Sequence, residues 1–269
     1  MKKIISILLL IIIGFIVSVF VVGGKIGSYV WCASVFIIAP LALALTIGQI
    51  INLFIRIIRK KQILFNLIFI AISIIYTLPI LVIFGVSPIK YPRNLDSKDG
   101  IEVQAPVNDG VYFGGKEYKT HAYWPSECYA YDIVKEPHDV GSSKLEDYGI
   151  YNEDVICPVN GTIIGMENNE EDIKPNTEEF TSSLGNYLFI KLDNEETYMI
   201  LAHFKNESIN VSVGDRVSVG DVLGKVGNSG TTSEPHLHIQ YQKDNPKDVM
   251  FPVCAEGLPL SFKDGFNQK

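Results

Sequence analysis

The sequence predicts two unlike parts: three transmembrane helices within residues 1–86 and a mainly antiparallel β domain in residues 100–269, joined by a linker of residues 87–99. All 30 acidic residues lie at or after Asp96, whereas the first 95 residues carry nine basic residues and no acidic one. The remaining 14 basic residues leave the second part with a formal net charge of −16. This part contains short alternating runs between glycine, asparagine and aspartate turns, a pattern typical of antiparallel strands.

The N-terminal part contains three long apolar runs without an internal charge, at residues 4–22, 29–55 and 63–84. Crossing a bilayer takes about 20 apolar helical residues. Inside lipid the backbone must bond to itself, so each run is predicted to be a helix. The first run could instead be a cleaved signal peptide, with Gly23-Gly24 as its small-residue site. The second and third runs would still export the β domain in that case.

The basic residues of the short loops predict the orientation of these helices. Four lie between the second and third runs, two precede the first run, and Lys25 alone separates the first from the second. The positive-inside rule places the N-terminus and the four-charge loop in the cytoplasm, which leaves the β domain outside the cell. The negative charge of that domain argues against nucleic acid, whose phosphates need a positive face.

The predicted strands follow one another through the β domain. They are residues 129–134, two strands about an Asn160-Gly161 turn in 154–165, a pair at 186–192 and 197–204, and 236–241. A glycine-rich near-repeat at 211–224 precedes the last strand, and its valines and leucine are expected to face inward. Residues 167–181, here called the acidic loop, show no periodicity and predict a solvated surface loop. Calcium binding is the alternative, but the Asp-x-Asp spacing of a calcium loop is absent.

Four cysteines are too few for a disulfide framework. Cys32 falls in the second apolar run, and Cys128, Cys157 and Cys254 are predicted to be buried free thiols. A Cys157–Cys254 bridge remains the alternative.

The stretch 227–240 holds two of the five histidines, His236 and His238, at the start of an alternating run. Side chains two apart on a strand point to the same face, so the two imidazoles are expected to lie close together. Such a pair suits zinc. The alternative is a pair of exposed strand histidines.

Three further polar residues interrupt or follow apolar strands. Asp132 is costly in its strand unless a metal or a hydrogen-bond network stabilises it, or unless it accepts backbone bonds at a strand end. His203 closes an otherwise apolar strand, where it is either a core residue or a catalyst. His138 follows in a polar stretch and is predicted to be a solvated loop residue.

Taken together, these stretches resemble the lysostaphin-type, or LytM-like, zinc metallopeptidases of bacterial cell walls. The resemblance covers roughly residues 103–241 and rests on segments 157–163, 184–187, 201–204, 213–220 and 227–238. It implies that His121, Asp132 and His238 bind zinc and that His203 and His236 are catalytic. His121 lies 11 residues before Asp132, a longer gap than this family usually has.

The implied activity is that of a membrane-anchored, extracytoplasmic zinc metalloendopeptidase that cleaves peptidoglycan cross-links or stem peptides. In such an enzyme a zinc-activated water attacks the peptide, one histidine takes its proton, and the other supports the oxyanion. Spacing does not decide which histidine has which role. Two alternatives remain: a non-catalytic module that binds the wall or activates a partner, and a component of envelope assembly or secretion. The sequence leaves the scissile bond and the oligomeric state open.

Overall fold

The computed structural model describes residues 2–92, 100–114, 121–193 and 195–263, with side chains from Ser6 onward. The chain forms two compact units, residues 1–92 and 93–269. Most of the predicted linker, residues 93–99, lies outside the described residues.

The first unit is helical through nearly all of its apolar runs. Its elements are α1 (Lys2–Val17) with a π-helical turn Ser18–Val22, α2 (Gly24–Ala33), a second π-helical turn Ser34–Ile38, α3 (Ala39–Ile58), α4 (Leu64–Thr77) and a 3-10 turn Leu78–Val82. Two continuous helices, Gly24–Ile58 and Leu64–Val82, are long and apolar enough to cross a membrane, whereas the apolar helix Ser6–Val22 is shorter. The prediction of a first membrane span therefore stays a prediction.

Polar side chains connect α3 and α4. The Asn66 side-chain amide donates to the Gln49 side chain at 3.0 Å, and the Thr46 hydroxyl donates to the Ser73 hydroxyl at 2.8 Å. Interhelical hydrogen bonds of this kind stabilise helix pairs in an apolar surrounding, where water offers no substitute.

The second unit is a mainly antiparallel β domain, as predicted. Its strands are β1 (Ile101–Val103), β2 (Val111–Gly114), β3 (Tyr131–Val134), β4 (Asp154–Ile156), β5 (Gly161–Glu167), β6 (Asn186–Leu192), β7 (Tyr198–Phe204), β8 (Arg216–Val217), β9 (Val222–Lys225), β10 (Leu237–Gln242) and β11 (Leu260–Phe262). Seven of them form one antiparallel sheet in the order β2-β3-β10-β7-β6-β5-β8. Residues such as Ile163, Leu188, Leu201 and Ile239 bury one face of this sheet completely.

The predicted pairing about Asn160-Gly161 is wrong. β4 pairs with β9, whereas β5 pairs with β6 and β8, so the two strands belong to different sheets. The chain passes from one sheet to the other at this turn, and the Asn160 side chain accepts a hydrogen bond from the Val219 N–H at 2.9 Å. Gly161 is required by close approach, because a Cβ there would overlap the Lys191 carbonyl oxygen.

The glycine-rich near-repeat forms two similar turns. In each, an aspartate carboxylate accepts the N–H three residues earlier, from Ser212 to Asp215 and from Ser218 to Asp221, both at 2.8 Å. The prediction that its hydrophobic residues face inward is right for Val217 and Leu223. It is wrong for three valines, which the turns leave exposed: Val213, Val219 and Val222.

One pairing runs against the antiparallel pattern. β1 pairs with β11 in parallel, as a separate two-stranded sheet. This pair joins segments from opposite ends of the domain, a connection that local patterns do not encode.

Candidate metal centre and catalytic cleft

The register of β3 and β10 brings Asp132 and His238 together. The two residues lie directly opposite each other, so their side chains share one face of the sheet. His238 Nδ1 is 3.0 Å from Asp132 Oδ1, and both residues are about 5% exposed. The buried carboxylate therefore has an imidazole partner.

His121 reaches the same carboxylate from a 3-10 turn, His121–Tyr123. Its Nε2 atom is 3.4 Å from Asp132 Oδ2, and its ring lies edge-on to His238 with centroids 5.0 Å apart. The chain between His121 and β3 folds back through short turns, so the long gap along the sequence is closed in space.

His121, Asp132 and His238 can hold a metal ion. One ligand atom from each lies within 4.8 Å of the others, and all three residues are buried. Two imidazoles and a carboxylate, with a further position left for water, are a donor set that zinc accepts in catalytic sites.

A bulge in β7 directs His203 toward this centre. Ala202 lies opposite His238, so regular alternation would turn the next side chain to the other face of the sheet. The pairing of β6 with β7 shifts at this point, and His203 has a φ of 68°, which is rare for a residue other than glycine. The His203 ring consequently lies 4.6 Å from His236 and 6.0 Å from His238, measured between centroids.

Backbone carbonyls hold His203 and His236 in the same tautomer. His203 Nδ1 is 2.8 Å from the Ser229 carbonyl, and His236 Nδ1 is 2.8 Å from the Glu234 carbonyl. A carbonyl oxygen only accepts, so each Nδ1 carries the proton. Each neutral ring therefore presents the lone pair of Nε2, and His236 Nε2 lies 3.6 Å from Asp132 Oδ1.

The pKa values of the clustered residues shift in different directions. Burial raises the pKa of Asp132, but the imidazoles of His121, His236 and His238 outweigh burial and hold that pKa well below its usual value. Burial lowers the pKa of His203 well below 6.5, and the two neighbouring histidines lower it further. Burial also lowers the pKa of His121. For His238, contact with Asp132 outweighs burial and raises the pKa.

These residues lie in a cleft of about 880 Å³. The acidic loop provides lining residues of one wall, including Asn176, Glu178 and Phe180. It is not simply a solvated loop, because Ile173 is buried and the Asp172 carboxylate accepts the Asn228 N–H at 2.7 Å. The loop thus belongs to the architecture of the cleft.

The structure brings together all five residues that the resemblance implied: His121, Asp132, His203, His236 and His238. It leaves His138 outside, with its ring 5.6 Å from Phe113 and its Nε2 3.4 Å from Glu136, partly buried rather than fully solvated. Sequence reasoning missed the groups that orient the histidines, namely the Ser229 and Glu234 carbonyls and the side chain of Gln240. For Gln240, its place two residues after His238 on an alternating strand was the available signal.

The cysteines lie apart from this chemistry. Cys128 and Cys157 are buried thiols that form no disulfide, as predicted, which removes the Cys157–Cys254 alternative. Cys254 is disulfide-bonded, so the prediction of a free thiol is wrong at that position.

The model of the family described as "Peptidase family M23" matches residues 147–249, which include His203, His236 and His238. Endolysin 2638A of Staphylococcus phage 2638A is 30% identical over 160 residues. The match covers 55% of this chain but 32% of the endolysin, so the chain spans about a third of that relative.

Two solved structures show a likeness at low identity. The catalytic domain of the prophage-encoded M23 protein EnpA from Enterococcus faecalis, solved as a mutant, is 15% identical, with 58% of this chain and 92% of that one covered and a TM-score of 0.39. The antimicrobial peptidase lysostaphin from Staphylococcus simulans is 19% identical, with 58% and 50% covered and a TM-score of 0.38. The family match and the endolysin, together with the β domain and its histidine-rich cleft, lead to one conclusion: this chain carries a domain of peptidase family M23.

Proposed function

We propose that this protein is a membrane-anchored, extracytoplasmic zinc metalloendopeptidase that cleaves peptide bonds in peptidoglycan cross-links or stem peptides. One observation carries the proposal. A buried His-Asp-His donor set and two further histidines, each oriented by a backbone carbonyl, share one cleft.

His121, Asp132 and His238 would hold the metal ion. When bound, zinc lowers the pKa of a coordinated water to about 7 and polarises the carbonyl of the scissile bond. Asp132 contributes an anionic oxygen whose charge is maintained by the low pKa of its carboxyl group. Zinc is the expected metal because nitrogen and carboxylate ligands in a three-residue set are typical of its catalytic sites.

We assign the general base to His236. Its Nε2 accepts a proton while the ring is neutral, and the Asp132 carboxylate 3.6 Å away stabilises the positive charge that it then gains. His236 is also less buried than His203, with a side chain 12% exposed, so its ring is the more accessible of the two to a substrate in the cleft. Once protonated, the same nitrogen donates to the leaving amine.

His203 remains neutral because burial and the neighbouring imidazoles keep its pKa low. In that state its Nε2 accepts a hydrogen bond and does not donate one. Support of an oxyanion by His203 therefore requires that it first take up a proton. The two rings lie 4.6 Å apart, so a positive charge on His236 disfavours a second one on His203.

The proposed substrate class is supported by the similarity to an endolysin and by the lysostaphin-type segments. The membrane anchor is supported by the surface of the helical unit, where apolar side chains such as Leu41, Leu45 and Ile58 are more than 60% exposed. Contiguous apolar surface of this kind is rare in soluble proteins and is what lipid would cover. The basic loop at residues 56–61 supports a cytoplasmic N-terminus and an external peptidase domain.

The test uses the full chain in detergent, incubated with purified peptidoglycan, and measures newly released amines with and without a chelator. We expect that amines are released, that the chelator abolishes this release, and that added zinc restores it. Asp132→Asn should weaken zinc binding by more than about 100-fold, beyond what loss of an outer partner causes. The matched control is Asp139→Asn, an exposed aspartate on the loop after β3.

Two results would redirect the proposal. Stoichiometric zinc binding without hydrolysis of any wall preparation would favour a wall-binding module. Chelator-resistant release of amines would remove the metal from the mechanism.

A further inference from the structure

A chain of side-chain hydrogen bonds runs along β10 from His238. His238 Nε2 is 3.0 Å from Gln240 Oε1, the Gln240 side-chain nitrogen donates to Gln242 Oε1 at 2.8 Å, and the Gln242 side-chain nitrogen donates to the Asp244 carbonyl at 2.5 Å. The three side chains alternate with the apolar residues of the strand, so they share the face of the sheet that carries the metal centre.

The last member of this chain sets its direction. A backbone carbonyl only accepts, so the Gln242 amide must turn its nitrogen toward Asp244 and its oxygen toward Gln240. Gln240 then has to donate to Gln242 and must turn its own oxygen toward His238. Because an amide oxygen is an acceptor, His238 must carry a proton on Nε2.

That proton leaves Nδ1 as the ligand atom. Nδ1 is the nitrogen that faces Asp132, and it is therefore the one that lies among the other donor atoms of the metal centre. If both glutamine amides were turned around, Gln240 would donate to Nε2 of His238. The His238 proton would then lie on Nδ1, where it would block metal binding.

Both glutamines are buried, with 7% of Gln240 and 2% of Gln242 exposed. A buried amide costs free energy unless its polar atoms are bonded, and these bonds meet that cost. Burial also holds the amides in place, since the alternative of turning toward water is closed to them.

We propose that Gln240 and Gln242 form a positioning relay that fixes the tautomer and the ring orientation of His238 for metal binding. The relay acts through His238 and takes no part in proton transfer. It rests on the proposed metal centre and would serve a zinc-binding module as well as a zinc enzyme.

The experiment compares full-length variants in detergent by two measurements. One is zinc affinity, by competition with a chromophoric chelator. The other is the tautomer of His238 in the metal-free protein at alkaline pH, read from ¹⁵N shifts of selectively labelled histidine. Gln240→Met keeps the size of the side chain but removes the acceptor, Gln240→Glu keeps an acceptor, and Gln104→Met makes the same exchange outside the cleft.

We expect Gln240→Met to weaken zinc binding by about 10- to 100-fold, the range for loss of a partner behind a metal-binding histidine. His238 should then lose its single Nε2–H tautomer. Gln242→Met should have a smaller effect in the same direction. Gln240→Glu keeps the acceptor for His238 but cannot donate to Gln242, so it should retain the Nε2–H tautomer of His238. Gln104→Met should stay close to the native protein in both measurements.

Native zinc affinity or an unchanged tautomer in a folded Gln240→Met protein would overturn the relay. Should that variant fail to fold, Gln240→Glu decides: a retained Nε2–H tautomer of His238 supports the relay, and its loss overturns the relay. If the native chain cleaves no substrate or binds no zinc, the proposed function fails, while the tautomer measurement still decides the relay.

Discussion

At the scale of single residues, the proposed metal centre depends on one buried carboxylate. Asp132 lies within 3.0 to 3.6 Å of nitrogen atoms from three histidines, His121, His236 and His238. These contacts keep its pKa low, so the negative charge persists despite burial. The same contacts raise the pKa of His238, which makes that histidine the one whose proton competes with a metal ion.

The raised pKa of His238 predicts how zinc affinity depends on pH. In the proposed centre zinc would bind the deprotonated Nδ1 of His238, and a pKa above 6.5 means that the proton persists there to higher pH than on an ordinary histidine. Affinity should therefore already fall as the pH is lowered from about 8 to about 6, with release of a single proton per zinc in that range. Calorimetric titration in buffers of different ionisation enthalpy measures both quantities.

His138→Ala provides the control for this measurement, because His138 lies outside the cleft and its loss should leave the pH dependence unchanged. Zinc affinity that is flat over this range, or uptake without proton release, would contradict the assignment of His238 as the competing ligand.

The residue types of the site could be predicted from the sequence, but their directions could not. Alternation into β10 correctly brings together His238 and His236, which directly precedes the strand, since both rings lie within 3.6 Å of Asp132 Oδ1. His203 breaks its own strand's alternation through a bulge, and that bulge depends on the pairing with Asn186 and Tyr187 in β6. A single strand carries no information about such a shift, which arises only when two strands are paired.

At the scale of elements, the segment that follows the acidic loop meets the stretch 227–240 at two glycines. Gly185, after the acidic loop, and Gly230 have φ angles of 61° and 81°. A Cβ on Gly230 would overlap the backbone nitrogen of Gly185. The two loops therefore approach more closely than any other residue would permit.

This contact predicts that Gly230→Ala is strongly destabilising. The left-handed backbone costs an alanine about 1 to 2 kcal/mol, and the steric overlap adds to it, for a total of about 3 kcal/mol or more. Gly214 is the matched control, because its φ is 100° but a Cβ there meets nothing within 4 Å. Gly214→Ala should thus show the backbone cost alone.

Thermal unfolding and hydrogen exchange of the 184–186 and 227–231 amides would measure the difference between these variants. Equal destabilisation by Gly230→Ala and Gly214→Ala would show that the two loops are not packed as described.

The acidic loop should loosen at low pH. Glu170 accepts the N–H groups of Thr181 and Ser182 at 3.0 and 3.2 Å and the Ser182 hydroxyl at 2.7 Å. Burial raises the pKa of Glu170, but these hydrogen bonds outweigh burial and lower it below 4.5. Their stabilisation is therefore complete above about pH 4.5 and is lost as the pH falls through the lower pKa of the folded protein.

Limited proteolysis as a function of pH, with an acid-stable protease, would detect this opening. Glu178→Gln should keep the native pH dependence, because Glu178 is an exposed residue of the same loop. Glu170→Gln should be loose at every pH, and a native pattern in that variant would count against the role of Glu170.

Strand existence was predictable where alternation was regular, as in β6, β7 and β10. The pairing of the strands was less predictable than their existence. The Asn160-Gly161 pattern is typical of a hairpin, yet Cys157 continues the pairing of β4 toward Asp221, with a 2.8 Å bond from its N–H, and the chain passes to another sheet. Tertiary contacts overrode the local turn preference there.

At the scale of the whole molecule, the charge of the loops predicts the topology. A fluorescent protein fused after Lys61 should fluoresce, and a phosphatase that is active only outside the cytoplasm should be active when fused after Pro92. The reason is that basic loops are retained in the cytoplasm. A fusion after Gly24 tests the first span, since phosphatase activity there requires that α1 cross the membrane. Fluorescence after Pro92 would reverse the orientation.

The parallel pair of β1 and β11 has a mechanical consequence. Any tension on the chain that precedes the β domain enters it at β1, whose three residues are matched to Leu260, Ser261 and Phe262. The force would thus act as shear between β1 and β11. These two strands form a sheet that is separate from the one bearing the histidines. Under the proposed anchored activity, this two-stranded sheet would take up such a load before the sheet that bears the histidines.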